Sequence, residues 1–143
     1  MNSPLMVRYG NISLNSKTKK NIAFQVAAHE PIVQIDPDGC YTLLMVDPDA
    51  GAGRGRETGL YFLHWLVMNV SGGVLERAKT IVDYFPPNPP SGKHDYILQL
   101  YKQDCSITYA VNRPVELANW NLPEFVKKYG LTKVAEVTMR TGQ

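Results

Sequence analysis

Two of the three histidines in this chain of 143 residues stand inside or at the mouth of apolar runs. His64 interrupts the run YFLHWLVMNV at residues 61–70. His94 opens the run HDYILQLY at residues 94–101, directly after a proline-rich stretch. Asp47 closes a third apolar run, residues 41–46, and Tyr96 stands two residues beyond His94. Imidazole and phenol donate hydrogen bonds to anion oxygens, and a carboxylate that accepts a ring N–H fixes the tautomer of an imidazole. If the three runs are neighbouring strands, these groups meet at one end of a sheet and suit a small anion. Backbone amides from Asn88 to Lys93 would add donors. Taken singly, each residue also has a plain structural reading: His64 as a hydrogen-bonded core histidine, His94 as an exposed strand end, Asp47 as an acidic turn.

Asp47, His64 and His94 are also a donor set that a transition metal can use. The sequence has no short-spaced metal motif and no serine or cysteine in a nucleophile elbow, so the chain reads as non-enzymatic and without a cofactor. The glycine-rich residues 51–59 match neither the Walker nor the dinucleotide pattern and read as a flexible connection. Cys40 and Cys105 form no CxxC pair. They read as thiols in a reducing compartment, with a single disulfide left open because sequence does not give their separation.

The elements that must position these groups are short strands. Leu5–Tyr9, residues 22–28 and residues 31–35 read as strands, with residues 11–21 polar and irregular, His29 in a loop and a turn at Asp36-Pro37-Asp38-Gly39. Residues 41–46 are apolar on both faces, as in a buried strand, and Pro48 stops the run. Residues 61–70 read as a central strand on which His64 shares a face with Phe62 and Leu66. Residues 74–84 fit either a helix or a strand. Pro86, Pro87, Pro89 and Pro90 stiffen the loop that delivers His94, and Gly92 turns it. On the strand after it, His94, Tyr96, Leu98 and Leu100 share one face, and Asp95, Ile97 and Gln99 the other. Residues 106–111 and 133–140 read as strands. Between them lies a helix capped by Asn121 with Glu124 reaching back, and ended by Gly130.

The size predicts one domain over residues 1–143, and 44% hydrophobic content is that of a globular chain. A net charge of +2 gives no basis for nucleic-acid binding, and Lys17 to Lys20 reads as a solvated turn. No apolar run approaches the roughly 18 residues a membrane span needs. The first residues show no apolar leader, so a cytoplasmic location is expected. The sequons at Asn11 and Asn69 read as chance matches.

Three segments, YTLLMVDPDA at 41–50, HWLVMN at 64–69 and PPSGKHDY at 89–96, resemble in order the signature of the phosphatidylethanolamine-binding protein family, which includes the Raf kinase inhibitor proteins. Asn112-Arg113 and FVKKY at 125–129 are similar to its later segments. The resemblance implies a mainly β fold, a large antiparallel sheet packed on a smaller one with one short C-terminal helix. It implies a pocket for phosphate-bearing groups, either a phospholipid head group or a phosphorylated partner. Asp47, His64, His94 and Tyr96 fall on pocket positions, and the backbone around Asn88 on the loop that closes it. The family also supports a protease or kinase inhibitor working through surface loops. Four departures stand out. Gly51 replaces a usual proline, Asp95 a usual arginine, and Phe62 a frequent tryptophan. The chain ends at Gln143, where many relatives continue into a helix that covers the pocket. A looser rim, a lost or reversed ion pair and a more open pocket are expected.

Overall fold

Two sheets carry the fold, seen in a computed structural model that describes residues 3–50, 55–89, 92–107 and 111–143. The smaller is antiparallel and has the order β2-β1-β4, from β1 (Leu5–Tyr9), β2 (Ile12–Leu14) and β4 (Ile32–Ile35). The larger has seven strands. Its path runs from β3 (Lys20–Asn21) through β10 (Thr132–Gly142), β8 (Lys93–Lys102), β5 (Cys40–Asp47) and β6 (Leu60–Ser71) to β7 (Lys79–Val82), and β9 (Trp120–Asn121) pairs with β6. All its pairings are antiparallel except β3 with β10.

The central strands β5, β6 and β8 are buried on both faces, which is why their sequences are nearly continuous apolar runs. Leu43, Met45, Trp65, Val67, Leu98 and Leu100 pack against Leu5, Val7 and Tyr9 of the smaller sheet. Leu44, Val46, Leu63, Leu66 and Ile97 face the other way, toward Leu122 and Leu131 around helix α3 (Leu122–Tyr129). Each fully buried side chain of this kind contributes roughly 1.5–3 kcal/mol, so apolar packing on both sides of β5 and β8 fixes the sheet on which the site is built. The cap of α3 is as expected: Asn121 accepts from Glu124 N–H at 3.1 Å, and Gly130 ends the helix at φ 63°.

Several local expectations are corrected. Residues 22–28 are not a strand. Ile22 N–H bonds Arg140 O, but β10 ends at Gly142, and the chain then coils into α1 (Phe24–Ala27). The irregular stretch 11–21 contains β2 and β3. Lys19 is not simply solvated, since its Nζ lies 2.7 Å from Asp95 Oδ2. Residues 74–84 resolve into a turn and β7. In the glycine-rich connection, residues 51–54, Gly51 among them, lie outside the described residues, and Gly55–Thr58 forms a one-turn helix, α2. The strand expected at 106–111 is absent from Ser106, Ile107 and Val111. Asp104 holds a turn there by accepting from Ser106 N–H and Oγ–H at 2.9 and 2.7 Å, and residues 108–110 lie outside the described residues.

The largest correction concerns the cysteines. Cys40 and Cys105 form a disulfide, with Cα atoms 5.2 Å apart. Gln103 N–H bonds Cys40 O at 2.9 Å, and this brings the start of β5 and the turn after β8 together. The free-thiol reading fails, and with it one ground for a cytoplasmic location. Asn69, in one of the two sequons, has φ 60° and is tied to Gln103. Among the described residues no helix is long and apolar enough to cross a membrane.

Candidate functional site

A cavity of about 160 Å³ opens at the ends of β5, β6 and β8, lined by Asp47, Ala50, Phe62, His64, Phe85, Asn88, Pro89, His94 and Tyr96. All five residues singled out from sequence (Asp47, His64, Asn88, His94 and Tyr96) border this one space. Sites that engulf a drug-sized ligand typically measure about 300–1,000 Å³. This one is smaller and has room only for a small ligand or part of a larger one.

Each side chain reaches the cavity for a local reason. Asp47 is the last residue of β5 and follows Leu43 and Met45 on the face turned to the smaller sheet. On β8 the same alternation puts His94 and Tyr96 on the face of Leu98 and Leu100. His64 obeys a different rule. Met45 and Val46 are consecutive on β5, yet they pair with Trp65 and Leu63 on β6, so His64 is an extra residue in a β-bulge. The bulge breaks the expected alignment. His64 lines the cavity with Phe62, whereas Leu66 faces the opposite core.

Both imidazoles are fixed through Nδ1. His64 Nδ1–H donates to Phe85 O at 2.6 Å, while Phe85 N–H donates to His64 O at 2.8 Å. This reciprocal pair docks the start of the proline-rich loop on the bulge. His94 Nδ1–H donates to Asp47 Oδ2 at 2.8 Å, and Asp47 Oδ1 accepts from Asp49 N–H at 2.7 Å. Among the described residues neither Nε2 has a hydrogen-bond partner, so Nε2 is the atom each ring offers a ligand. The Tyr96 ring stands edge-on to His64, with centroids 5.2 Å apart. Phe62 and Phe85 pack on the other sides of His64.

Burial lowers the pKa of His64 from the ordinary imidazole value, outweighing its bond to Phe85 O and the charge of Asp47. The Tyr96 hydroxyl moves up, first through burial and then through the charges of Asp47 and Asp49, so it stays a phenol donor. The resting site therefore holds a neutral His64, a protonated Tyr96 and a His94–Asp47 pair.

Asp95, where an arginine was expected, points away from the cavity and is 3% exposed. It is a hub of cations: Lys19 Nζ at 2.7 Å, Arg56 Nη2 at 2.8 Å and Arg140 Nη1 at 2.9 Å. Burial alone would raise its pKa, but hydrogen bonds from Lys19 and Arg140 hold it below the ordinary carboxylate value. Asp95 thus makes ion pairs of its own on the side away from the cavity, and Asp47, His64, His94 and Tyr96 still line that cavity.

The sequence profile of the phosphatidylethanolamine-binding protein family matches residues 4–140. The chain belongs to that family. "Protein MOTHER of FT and TFL1 homolog 2" of Oryza sativa subsp. japonica is 35% identical over 112 residues, 73% of this chain and 62% of the rice protein. "Putative odorant-binding protein A5" of Drosophila melanogaster is 36% identical over 104 residues, 66% of this chain and 48% of the fly protein. The chain thus spans about half to three-fifths of the length of these relatives. The crystal structure of a carboxypeptidase Y inhibitor with its cognate proteinase superposes with a TM-score of 0.74 at 20% identity, covering 97% of this chain and 82% of the inhibitor. That likeness concerns the fold.

Within this family frame, sequence reasoning missed Phe85, which walls the cavity and anchors His64, and the cations around Asp95. An aromatic side chain directly before the prolines was a usable signal for Phe85. No sequence signal pairs Arg56 with Asp95 across 39 residues.

Proposed function

We propose that this chain is a non-enzymatic binding protein whose cavity takes the phosphate of a small ligand, such as a phospholipid head group or a phosphorylated partner. The observation that carries the reading is the pair of imidazoles on one small cavity, each held through Nδ1 and each with Nε2 left for a ligand. Tyr96 adds a third donor, and Phe62, Phe85 and Pro89 supply a partly apolar wall that strengthens charge-assisted bonds inside it. A phosphate entering there meets an Nε2–H donor wherever a ring is protonated, and Asp47 holds the His94 ring in place through Nδ1–H. The family relation supports binding in preference to catalysis. Work as an inhibitor of a protease or kinase through surface loops, and a role in signalling, are further proposals of the same class.

The competing use of Asp47, His64 and His94 is a metal site. The geometry disfavours it, because both Asp47 oxygens are already engaged. Among the described residues no group of three His, Cys, Asp or Glu side chains is placed to hold an ion.

Titration with phosphate and with zinc, followed at the His64 and His94 ring signals by NMR, separates the two. Phosphate is expected to shift both rings, and His94→Ala to weaken phosphate binding while the domain stays folded. Strong zinc binding at both rings, or a His94→Ala variant that binds phosphate like the parent, would sink the anion reading.

A further inference from the structure

The β5–β8 ladder stops at Val46 opposite Ile97, short of the cavity. Beyond that point two bonds hold the end of β5 to β8: His94 Nδ1–H to Asp47 Oδ2 at 2.8 Å, and Asp95 N–H to Asp49 Oδ2 at 2.8 Å. The second requires the Asp49 carboxylate to stay in place beside another carboxylate, Asp95. Arg56 spans the two. Its Nη1 lies 3.1 Å from Asp49 Oδ1 and its Nη2 2.8 Å from Asp95 Oδ2. Among the described residues Lys19 and Arg140 also pair with Asp95, and neither pairs with Asp49. Asp49 N–H in turn holds Asp47 Oδ1 at 2.7 Å. A continuous path of bonds therefore runs from a guanidinium on α2 to the imidazole of His94.

Charge adds to geometry. Asp47, Asp49 and Asp95 put three carboxylates in succession beside a cavity that is read as taking an anion. Among the described residues Arg56 is the cation that touches two of them. A planar guanidinium can bridge two carboxylates at once, whereas an ammonium acts as a point charge.

We propose that Arg56 is a positioning residue for the anion pocket: by bridging Asp49 and Asp95 it holds the Asp47–His94 pair in its binding orientation and offsets the carboxylates around it. This rests on the anion reading of the cavity for its effect on affinity, but its effect on His94 can be read without any ligand.

The test compares the parent with Arg56→Met, Arg56→Lys and Lys19→Met. Sulfate affinity is measured by calorimetry. The His94 tautomer is measured from ring ¹⁵N shifts at about pH 8.5, above the ordinary imidazole range. Arg56→Met is expected to weaken sulfate binding roughly tenfold, the low end of the loss when an outer partner of a ligating histidine is removed, and to mix the His94 tautomers. Lys19→Met also removes one cation from Asp95 but leaves the bridge, so it should keep the parent tautomer and affinity. Arg56→Lys should restore only part of the loss. Parent-like sulfate binding and tautomer in Arg56→Met would overturn the proposal. So would equal damage from Lys19→Met, or full rescue by Arg56→Lys, since either would make the effect one of bulk charge. If the parent itself binds no sulfate, the anion reading falls, and the His94 tautomer alone still decides the role of Arg56.

Discussion

Anion binding at this site should take up protons. Both rings spend Nδ1–H on protein acceptors, Phe85 O and Asp47 Oδ2. A neutral ring then turns the lone pair of Nε2 toward the ligand, and a lone pair repels an anion oxygen. His64 is neutral at rest because burial lowers its pKa, while Asp47, His94 and Tyr96 are the titratable groups that line the cavity with it. A bound anion favours the imidazolium and raises that pKa. Between the free and the bound value each proton taken up is worth about 1.4 kcal/mol per pH unit, or a factor of about ten in affinity. Sulfate is the right probe, because phosphate itself changes charge near pH 6. Sulfate affinity should therefore rise about tenfold per pH unit on going down through the neutral range as His64 takes up its proton. Calorimetry in two buffers of different ionisation heat counts the protons directly. His64→Gln offers an amide donor that does not titrate, and should flatten the slope by one proton. A sulfate affinity independent of pH, with no proton uptake, would refute the assignment of Nε2 as the ligand-facing atom.

Four further outcomes concern stability. The lowered pKa of His64 means that the unfolded chain binds more protons than the native one as pH falls below about 6.5, so stability should drop from there toward the native pKa. Urea midpoints at successive pH values should show this loss in the parent and less of it in His64→Gln. The Asp95 contribution has the opposite origin and a lower window, since its native pKa lies below 3.8 and its stabilisation goes only as pH falls further. The Cys40–Cys105 disulfide spans a sequence separation of 65, and the chain-entropy argument assigns it about 4 kcal/mol. Denaturant melts of the Cys40→Ser/Cys105→Ser variant should show a loss of that order or somewhat less. Thr141 Oγ1 is buried and, among the described residues, without a partner. Thr141→Val keeps the shape and removes the orphan hydroxyl, so thermal denaturation should show about 1 kcal/mol of gain.

Where the sequence pattern follows strand alternation, the placement of the candidate residues was legible. Asp47 shares the face of Leu43 and Met45, and His94 and Tyr96 share that of Leu98 and Leu100, because period-two geometry leaves no other choice. His64 was placed on the right strand and beside Phe62, but Leu66 was wrongly set on the same face, since a bulge shifts the alternation by one and leaves no mark in composition. Residues 22–28 turned into a helical turn because β3 has run out of partner strand, a tertiary fact that local propensity does not carry. The Asp95 hub depends on cations 76, 39 and 45 residues away in the chain. The disulfide likewise joins residues whose closeness only the folded sheet creates.

The central claim is that one anion sits between His64 and His94. A crystal structure of the protein with phosphoethanolamine tests it most directly. The account predicts the phosphate in the cavity walled by Phe62, Phe85 and Pro89, with its oxygens within hydrogen-bond reach of Nε2 on both histidines and of the Tyr96 hydroxyl. A phosphate held outside this cavity, or a cavity left to water at saturating ligand, would contradict it.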